Sequence, residues 1–216
     1  AWSPDAPVNR TLAAIRDGGL DEVLLVADLC FCEYTDHGHC GILRTDDPHG
    51  RVDNDATLEL LARTACAQVQ AGADVVAPSG MIDGQVGAIR SALDKAGHDD
   101  VAIMSYSVKF ASNLYGPFRD AGEGGMTVGD RQGYQMDFRR QREWRTELAA
   151  DLGQGADMVM VKPALTYLDI IWQVRQACDV PVVAYHVSGE FAMLHAAAQR
   201  GWVDLKQATL EATYAI

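Results

Sequence analysis

Short, continuously apolar runs alternate with amphipathic segments along most of this 216-residue chain. The apolar runs predict buried parallel strands, because strands covered on both faces lack the alternation of half-exposed ones. Five such runs lie at residues 23–27, 73–78, 101–107, 158–161 and 180–184. Apolar residues at helical spacing predict helices over residues 8–16, 54–72, 85–95, 167–178, 190–200 and 205–216. Asn54 and Ser188 are the side chains expected to cap two of these helices.

Repeated strand and helix units predict an α/β fold with a parallel sheet and right-handed connections. A weak internal repeat supports this: A-G-A-D-V-V-A-P at residues 71–78 resembles Q-G-A-D-M-V-M-V-K-P at residues 154–163. A (β/α)8 barrel and a doubly wound sheet both fit, although the nucleotide-binding motifs of the latter are absent. A whole barrel takes eight strands. We therefore expect residues 1–216 to form one domain, with about five of the eight strands of a TIM barrel.

The segment Tyr115–Gln135 interrupts this alternation, with too many glycines for a helix and no strand period. Ordered loops of this length are uncommon unless they act as lids or binding loops. This one carries Arg119 and Arg131, and a guanidinium is suited to bind a carboxylate. The segment is therefore predicted to be a lid over an anionic substrate.

Metal-ligand side chains are concentrated in the stretch Asp28–Cys40, D-L-C-F-C-E-Y-T-D-H-G-H-C. Thiolates suit zinc, and three ligands without an obvious fourth indicate an open catalytic site rather than a closed structural one. An odd total of five cysteines and a tight C-x-C spacing disfavour disulfides and favour a reducing compartment. We therefore expect Cys30, Cys32 and Cys40 to bind zinc at the end of the first strand.

Two of the four lysines, Lys109 and Lys162, follow predicted strands. Active sites of parallel βα folds gather at the carboxyl ends of the strands. Apolar surroundings and a second cation lower the pKa of a lysine and make it a nucleophile toward carbonyls. A single strand-end lysine could equally extend to solvent, but the pair favours Schiff-base chemistry. Further polar residues at strand ends are Ser79, Tyr106, Ser107, Ser188 and Glu190.

The formal net charge of −12 is spread along the chain, which disfavours a nucleic-acid or membrane-surface partner. No apolar run reaches the length of about 18 residues that a membrane span needs, and the first residues lack a signal-peptide pattern. We therefore expect a cytoplasmic protein. The chain lacks an initiating Met and stops within a helical pattern, so both ends are expected to be cut.

Six motifs in order resemble the porphobilinogen synthase (5-aminolevulinate dehydratase) family over essentially the whole chain. They are D-L-C-F-C-E-Y-T-D-H-G-H-C-G, A-P-S-G-M-I-D-G, M-S-Y-S-V-K-F-A-S, the lid pair Y-G-P-F-R-D-A and G-D-R-Q-G-Y-Q-M, M-V-K-P-A-L-T-Y-L-D, and Y-H-V-S-G-E-F-A-M-L. The resemblance implies a zinc-type TIM-barrel lyase of tetrapyrrole (haem, chlorophyll and cobalamin) biosynthesis. Such an enzyme condenses two 5-aminolevulinate molecules to porphobilinogen, losing two waters, and forms a homo-octamer.

The resemblance also implies a role for each matching residue. Lys162 would form a Schiff base with the propionate-side substrate and Lys109 one with the acetate-side substrate. Zinc would be held by the three cysteines, and Glu147 matches the position that binds an allosteric magnesium ion in some members of the family. The other implied pocket residues are Asp28 and Ser79 for proton transfers, Phe118 for closing the pocket, Arg119, Arg131 and Gln135 for the acetate-side carboxylate, and Ser188 for the propionate-side carboxylate.

Some features depart from the family pattern. Gly80 replaces the usual Asp beside Ser79, and Gly133 replaces a cysteine with which His39 holds a second zinc in animal members. We therefore expect His39 to be no more than a loop residue. Against the family pattern, the chain also lacks the N-terminal arm, the first two strands and the last strand.

Two alternative functions remain open. A Schiff-base aldolase on a similar barrel needs one lysine and no cysteine triad. A catalytically inactive fragment would still bind zinc but would form no pyrrole.

Overall fold

The computed structural model describes residues 1–122, 125–140 and 142–216. Within these residues, five parallel strands form one sheet. The strands are β1 Val26–Leu29, β2 Val75–Pro78, β3 Ala102–Lys109, β4 Met158–Lys162 and β5 Val182–Ala184. The helices are α1 Pro7–Asp17, α2 Asn54–Gln70, α3 Gln85–Lys95, α4 Gly116–Ala121, α5 Trp144–Gly153, α6 Leu168–Ala177, α7 Ser188–Gln199 and α8 Leu205–Ala215.

The strand order follows the chain, β1-β2-β3-β4-β5, so each strand pairs with its neighbour in sequence. In a doubly wound sheet the order reverses at a switch point, whereas in a (β/α)8 barrel it does not. The prediction of an α/β fold with a parallel sheet is confirmed, and the strand order favours part of a barrel. No helix among the described residues is long and apolar enough to cross a membrane.

Apolar burial lies mainly between the sheet and its helices. Leu61, Ile89, Ile103, Val161 and Trp144 are among the residues of this core with almost no exposed surface. A much smaller cluster consists of Ala77, Tyr106 and Met160 with their neighbours. The helices thus hold the sheet rigid and leave the strand ends free for polar side chains.

The first strand begins three residues later than the sequence predicts. Val23 and Leu24 are 47% and 64% exposed, although they are apolar. The backbone at this point is bound by side chains, because Arg16 donates to the Val23 carbonyl and the Asp74 carboxylate accepts from the Leu25 N–H. The shift places Asp28 inside β1 rather than after it, and Cys30 directly after the strand.

Both predicted helix caps are wrong. Asp53 caps α2, because its carboxylate accepts from the Ala56 N–H at 3.1 Å, and Asn54 is the first helical residue. Ser188 is the first residue of α7, where the Glu190 carboxylate accepts from the Val187 N–H. The segment predicted as a lid without helix contains α4, which has a proline in its first turn.

Candidate active site

The last residues of two adjacent strands, Lys109 of β3 and Lys162 of β4, are Cα partners. An irregularity in the register between Ser105 and Val108 precedes them, and such bulges are common next to active sites. Lys109 is 5% exposed. The predicted position of both lysines at the carboxyl edge of the sheet is therefore what the structure shows.

A chain of hydrogen bonds joins Lys109 to the carboxylate on β1. Lys109 Nζ donates to the Ser79 carbonyl at 2.6 Å, and Ser79 Oγ donates to Asp28 Oδ1 at 2.7 Å. Burial raises the pKa of Asp28, and the nearby Cys30 adds to this rise, whereas the Ser79 hydrogen bond opposes it. Asp28 can therefore take up and release a proton near the two lysines.

The amine of Lys162 lies among three tyrosine rings. Its Nζ is 4.0 Å from the ring centroid of Tyr185, 5.3 Å from that of Tyr106 and 5.4 Å from that of Tyr115. Burial, and then the charge of Lys109, lower the pKa of Lys162 to about 8. A lysine with this pKa is about 9% neutral at pH 7, against about 0.03% for an ordinary lysine. Lys162 is thus a competent amine nucleophile at neutral pH.

The three cysteines predicted to bind zinc converge after β1. Cys30, Cys32 and Cys40 place their sulfur atoms within 4.8 Å of one another, and among the described residues they form the one such metal-ligand group. Hydrogen bonds from Cys30 and Cys32 lower the pKa of the Cys40 thiol, whereas the pKa of Cys32 is raised by its bonds to the other two thiols. Three soft sulfur donors without a fourth side chain fit a zinc ion with an open coordination position.

Three side chains of the lid segment carry polar atoms that are buried and find no partner among the described residues. These atoms are Arg119 Nε, Arg131 Nε and both amide atoms of Gln135. Arg131 also donates through Nη2 to the Gly38 carbonyl at 2.7 Å. All three residues line a cavity of about 560 Å³. Buried polar atoms of this kind are costly unless a ligand satisfies them, and a carboxylate can accept from the guanidinium and amide N–H groups.

Ser188 and Phe118 meet at the start of α7. Ser188 Oγ accepts from the Phe118 N–H at 3.1 Å and donates to the Leu114 carbonyl at 3.3 Å. The Phe118 side chain is 49% exposed. The structure therefore brings Ser188 and the backbone of Phe118 together, with the phenyl ring facing solvent.

His39 lies in a loop, as the sequence predicts, but its side chain is buried and hydrogen-bonded through both ring nitrogens. It has no exposed surface, and its two ring nitrogens lie 2.7 Å from the Val128 carbonyl and 3.1 Å from Tyr134 Oη. Because the carbonyl can only accept, Nε2 carries the proton and the tyrosine donates to Nδ1. His39 thus joins the cysteine loop to the lid segment, and nothing in the sequence indicated Tyr134 as its partner.

At Gly80, a β-carbon would lie 3.3 Å from the Ile82 side chain and 3.6 Å from the Cys40 β-carbon. The loop that carries Ser79 therefore packs closely on a zinc-ligand candidate. The glycine at this position suits that close approach.

Glu147 lies on α5 and does not line the cavity of Arg119, Arg131 and Gln135. It lines a cavity of about 940 Å³ together with Asp83 and Glu143. Burial, followed by the charges of Asp83, Asp151 and Glu143, raises the pKa of Glu147 to about 7. These carboxylates do not converge as the cysteine sulfurs do within the described part of the chain.

The sequence places Tyr106 and Glu190 at strand ends but indicates no role for them, and it does not distinguish Tyr185. The signal for Tyr185 was its position directly after β5, at the same edge of the sheet as the lysines. Glu190 is fully buried, which no local pattern indicated.

Comparison with known proteins agrees with this geometry. The family model described as delta-aminolevulinic acid dehydratase matches residues 1–216. The delta-aminolevulinic acid dehydratase of Synechococcus elongatus is 52% identical over 211 residues, which are 98% of this chain and 64% of the relative. That of Streptomyces coelicolor is 55% identical over 208 residues, 96% of this chain and 62% of the relative.

A solved structure shows the same fold. The crystal structure of the Toxoplasma gondii delta-aminolevulinic acid dehydratase (porphobilinogen synthase), in complex with the reaction product porphobilinogen, has a TM-score of 0.95 and 44% identity. The match covers 99% of this chain and 60% of that one, so the chain spans less than two thirds of the length of these relatives. The prediction of a partial TIM barrel agrees with this likeness. This chain belongs to the delta-aminolevulinic acid dehydratase family.

Proposed function

We propose that the complete protein is a lyase that condenses two molecules of 5-aminolevulinate to porphobilinogen with loss of two waters. Membership of the family and the product bound to the Toxoplasma relative support this reaction. The observation that carries the proposal is the pairing of Lys109 with Lys162 beside a cluster of three cysteines. The activity is ascribed to the complete protein because the chain spans only part of the length of its relatives.

Each lysine attaches one substrate molecule. The neutral amine of Lys162 attacks the ketone carbon of the propionate-side substrate, and loss of water leaves a C=N bond. Its pKa of about 8 supplies the neutral amine at physiological pH. Lys109 forms the same bond with the acetate-side substrate. Asp28, whose pKa is raised by burial, moves protons between the two.

Buried polar groups hold the substrate carboxylates. The unpartnered N–H groups of Arg119, Arg131 and Gln135 would donate to the acetate-side carboxylate, which removes the cost of leaving these donors unsatisfied. Ser188 would bind the propionate-side carboxylate through its hydroxyl. Phe118 would close the pocket by turning its exposed ring inward.

Cys30, Cys32 and Cys40 would hold zinc. When bound, the ion supplies a Lewis acid that polarises an oxygen of the acetate-side substrate. The hydrogen bonds that lower the pKa of Cys40 provide the first thiolate for the metal. The cysteine triad also distinguishes this proposal from a Schiff-base aldolase, which needs no such cluster.

Glu147 is proposed as a magnesium site. Mg²⁺ keeps several water molecules and needs only one or two carboxylates, so a cavity lined by Glu147, Asp83 and Glu143 is compatible with it although these residues do not form a tight ligand group. The homo-octamer and the cytoplasmic location stay predictions from the sequence.

The test uses two proteins: the 216-residue chain, and a chimera in which the Streptomyces coelicolor relative supplies the remaining segments. Each is incubated with zinc and 5-aminolevulinate, reduced with borohydride, and mapped by mass spectrometry while pyrrole formation is assayed. From the chimera we expect adducts on Lys162 and Lys109, together with pyrrole. The matched control is Lys206→Met in the chimera, which should give the same result.

The other outcomes separate the alternatives. Substrate trapped on neither lysine of the chimera would refute the proposed reaction. Adducts and pyrrole from the chimera alone would identify the 216-residue chain as a zinc-binding but inactive piece. An adduct on Lys162 alone, with activity that survives zinc removal, would favour the aldolase.

A further inference from the structure

Glu190, in the first turn of α7, has no exposed surface. Its carboxylate accepts three backbone hydrogen bonds: from Leu165 N–H at 2.6 Å, from Val187 N–H at 2.7 Å and from Ala164 N–H at 3.4 Å. Among the described residues, no Lys, Arg or His forms an ion pair with it. A buried carboxylate without a cation needs donors in fixed places, and here the backbone supplies them.

The three donors come from two separate segments. Ala164 and Leu165 belong to the loop that follows Lys162, and Val187 directly precedes Ser188. An ionised carboxylate can only accept hydrogen bonds, so it matches three N–H groups without any further adjustment. Glu190 therefore joins the end of β4 to the start of α7.

A second set of contacts makes this junction rigid. Tyr115 Oη donates to the Phe110 carbonyl at 2.7 Å and lies 3.3 Å from the Lys162 carbonyl oxygen. At Gly189, a β-carbon would lie 2.5 Å from the Leu114 carbonyl oxygen, so α7 begins in direct backbone contact with the segment before α4. The end of β4, with Lys162, and the start of α7, with Ser188, thus contact each other and the residues that follow β3.

We propose that Glu190 is a positioning residue that sets the separation between the Lys162 amine and the Ser188 hydroxyl. A substrate bonded covalently to the lysine then presents its carboxylate to the serine, whose hydroxyl turns its proton from the Leu114 carbonyl to the carboxylate. The inference rests on the proposed function, because it needs Lys162 to form a Schiff base. It assigns Glu190 no contact with the substrate, since its carboxylate is occupied by the three N–H groups.

The test compares Glu190→Gln and Glu190→Asp in the chimera, with Glu211→Gln of α8 as the control, because Glu211 is exposed. The Gln side chain keeps the shape of Glu but turns one acceptor into an amide donor facing an N–H group. The Asp side chain keeps the charge but is one methylene shorter. Zinc content and circular dichroism report whether each variant is folded.

Adducts of 5-aminolevulinate are trapped with borohydride, and their initial rates of formation on Lys162 and on Lys109 are measured in the same sample. The readout is the ratio of the Lys162 rate to the Lys109 rate. We expect this ratio to fall at least tenfold in Glu190→Gln, to fall less in Glu190→Asp, and to stay unchanged in Glu211→Gln. The KM for 5-aminolevulinate should rise in the same order. If Glu190→Gln does not fold, Glu190→Asp alone decides through the same ratio.

An unchanged ratio in a folded Glu190 variant would overturn the proposal. A loss of both adducts in proportion to the folded fraction would also overturn it, because the residue would then be structural only. If the unsubstituted chimera traps substrate on neither lysine, the proposed function itself fails and this inference fails with it.

Discussion

Replacing Lys109 with methionine should make Lys162 less reactive at neutral pH. The charge of Lys109 is the second cause, after burial, of the lowered pKa of Lys162. Methionine has similar length and keeps the site apolar but carries no charge. The pKa of Lys162 should therefore rise in Lys109→Met, and the fraction of neutral amine should fall.

The least size of this effect follows from the distance of both amines to the same tyrosine ring. Lys109 Nζ lies 5.6 Å and Lys162 Nζ 5.3 Å from the Tyr106 ring centroid, so they are no more than about 11 Å apart by simple geometry. At this largest separation two unit charges interact by about 1.5 kcal/mol at an effective dielectric constant of about 20, so the effect is at least about one pKa unit. The pKa of Lys162, about 8 in the unsubstituted protein, should thus rise by about one unit or more.

The assay is the initial rate of adduct formation on Lys162, trapped with borohydride, between pH 6 and pH 10. At about pH 7 the rate in Lys109→Met should be at least about tenfold below the unsubstituted rate, whereas at about pH 10 the two should converge because both amines are then mostly neutral. Lys95→Met, at the exposed end of α3, is the control. A rate reduced by the same factor at every pH would refute the electrostatic reasoning, as would no reduction at all.

Three further substitutions test other parts of the site. Cys40→Ala should lower bound zinc from about one equivalent to less than about 0.1, measured by atomic absorption, whereas Cys66→Ala should not; equal zinc in both would contradict the assigned ligands. Glu147→Gln should raise the free energy of unfolding at pH 8 by about 1 kcal/mol, a figure discounted for solvent screening. Folding raises the pKa of Glu147, so its ionisation lowers the stability of the unsubstituted protein as the pH rises from about 4.5 to about 7, whereas glutamine does not ionise. Urea unfolding at several pH values measures this difference, and a Glu147→Gln variant less stable than the unsubstituted protein at pH 8 would contradict the prediction. His39→Leu should cost about 2 kcal/mol by the same method, because the Val128 carbonyl and the Tyr134 hydroxyl lose a buried partner; a change below about 0.5 kcal/mol would show that these bonds are not needed.

The sequence predicted those features that depend on local pattern. The helix over residues 85–95 has the predicted limits, and the strands ending at Lys109 and Lys162 lie where the apolar runs place them. The cysteine cluster also followed from spacing, since three thiols within eleven residues can meet without help from distant segments.

Features set by distant contacts were not predictable. Strand β1 begins later than predicted because Arg16 and Asp74 bind the backbone around Leu25. The cap of α7 was missed because Glu190 reaches both its own helix start and the loop after β4. In each case a side chain satisfies backbone groups far away in sequence, which periodicity does not record.

The most direct test of the central claim is porphobilinogen formation by the chimera in the presence of zinc, with Lys162→Met as the paired variant. We expect the chimera to convert 5-aminolevulinate to pyrrole and Lys162→Met to lose this activity while keeping its zinc. A zinc-loaded, folded chimera that forms no pyrrole, or a Lys162→Met variant that forms it at the unsubstituted rate, would contradict the account.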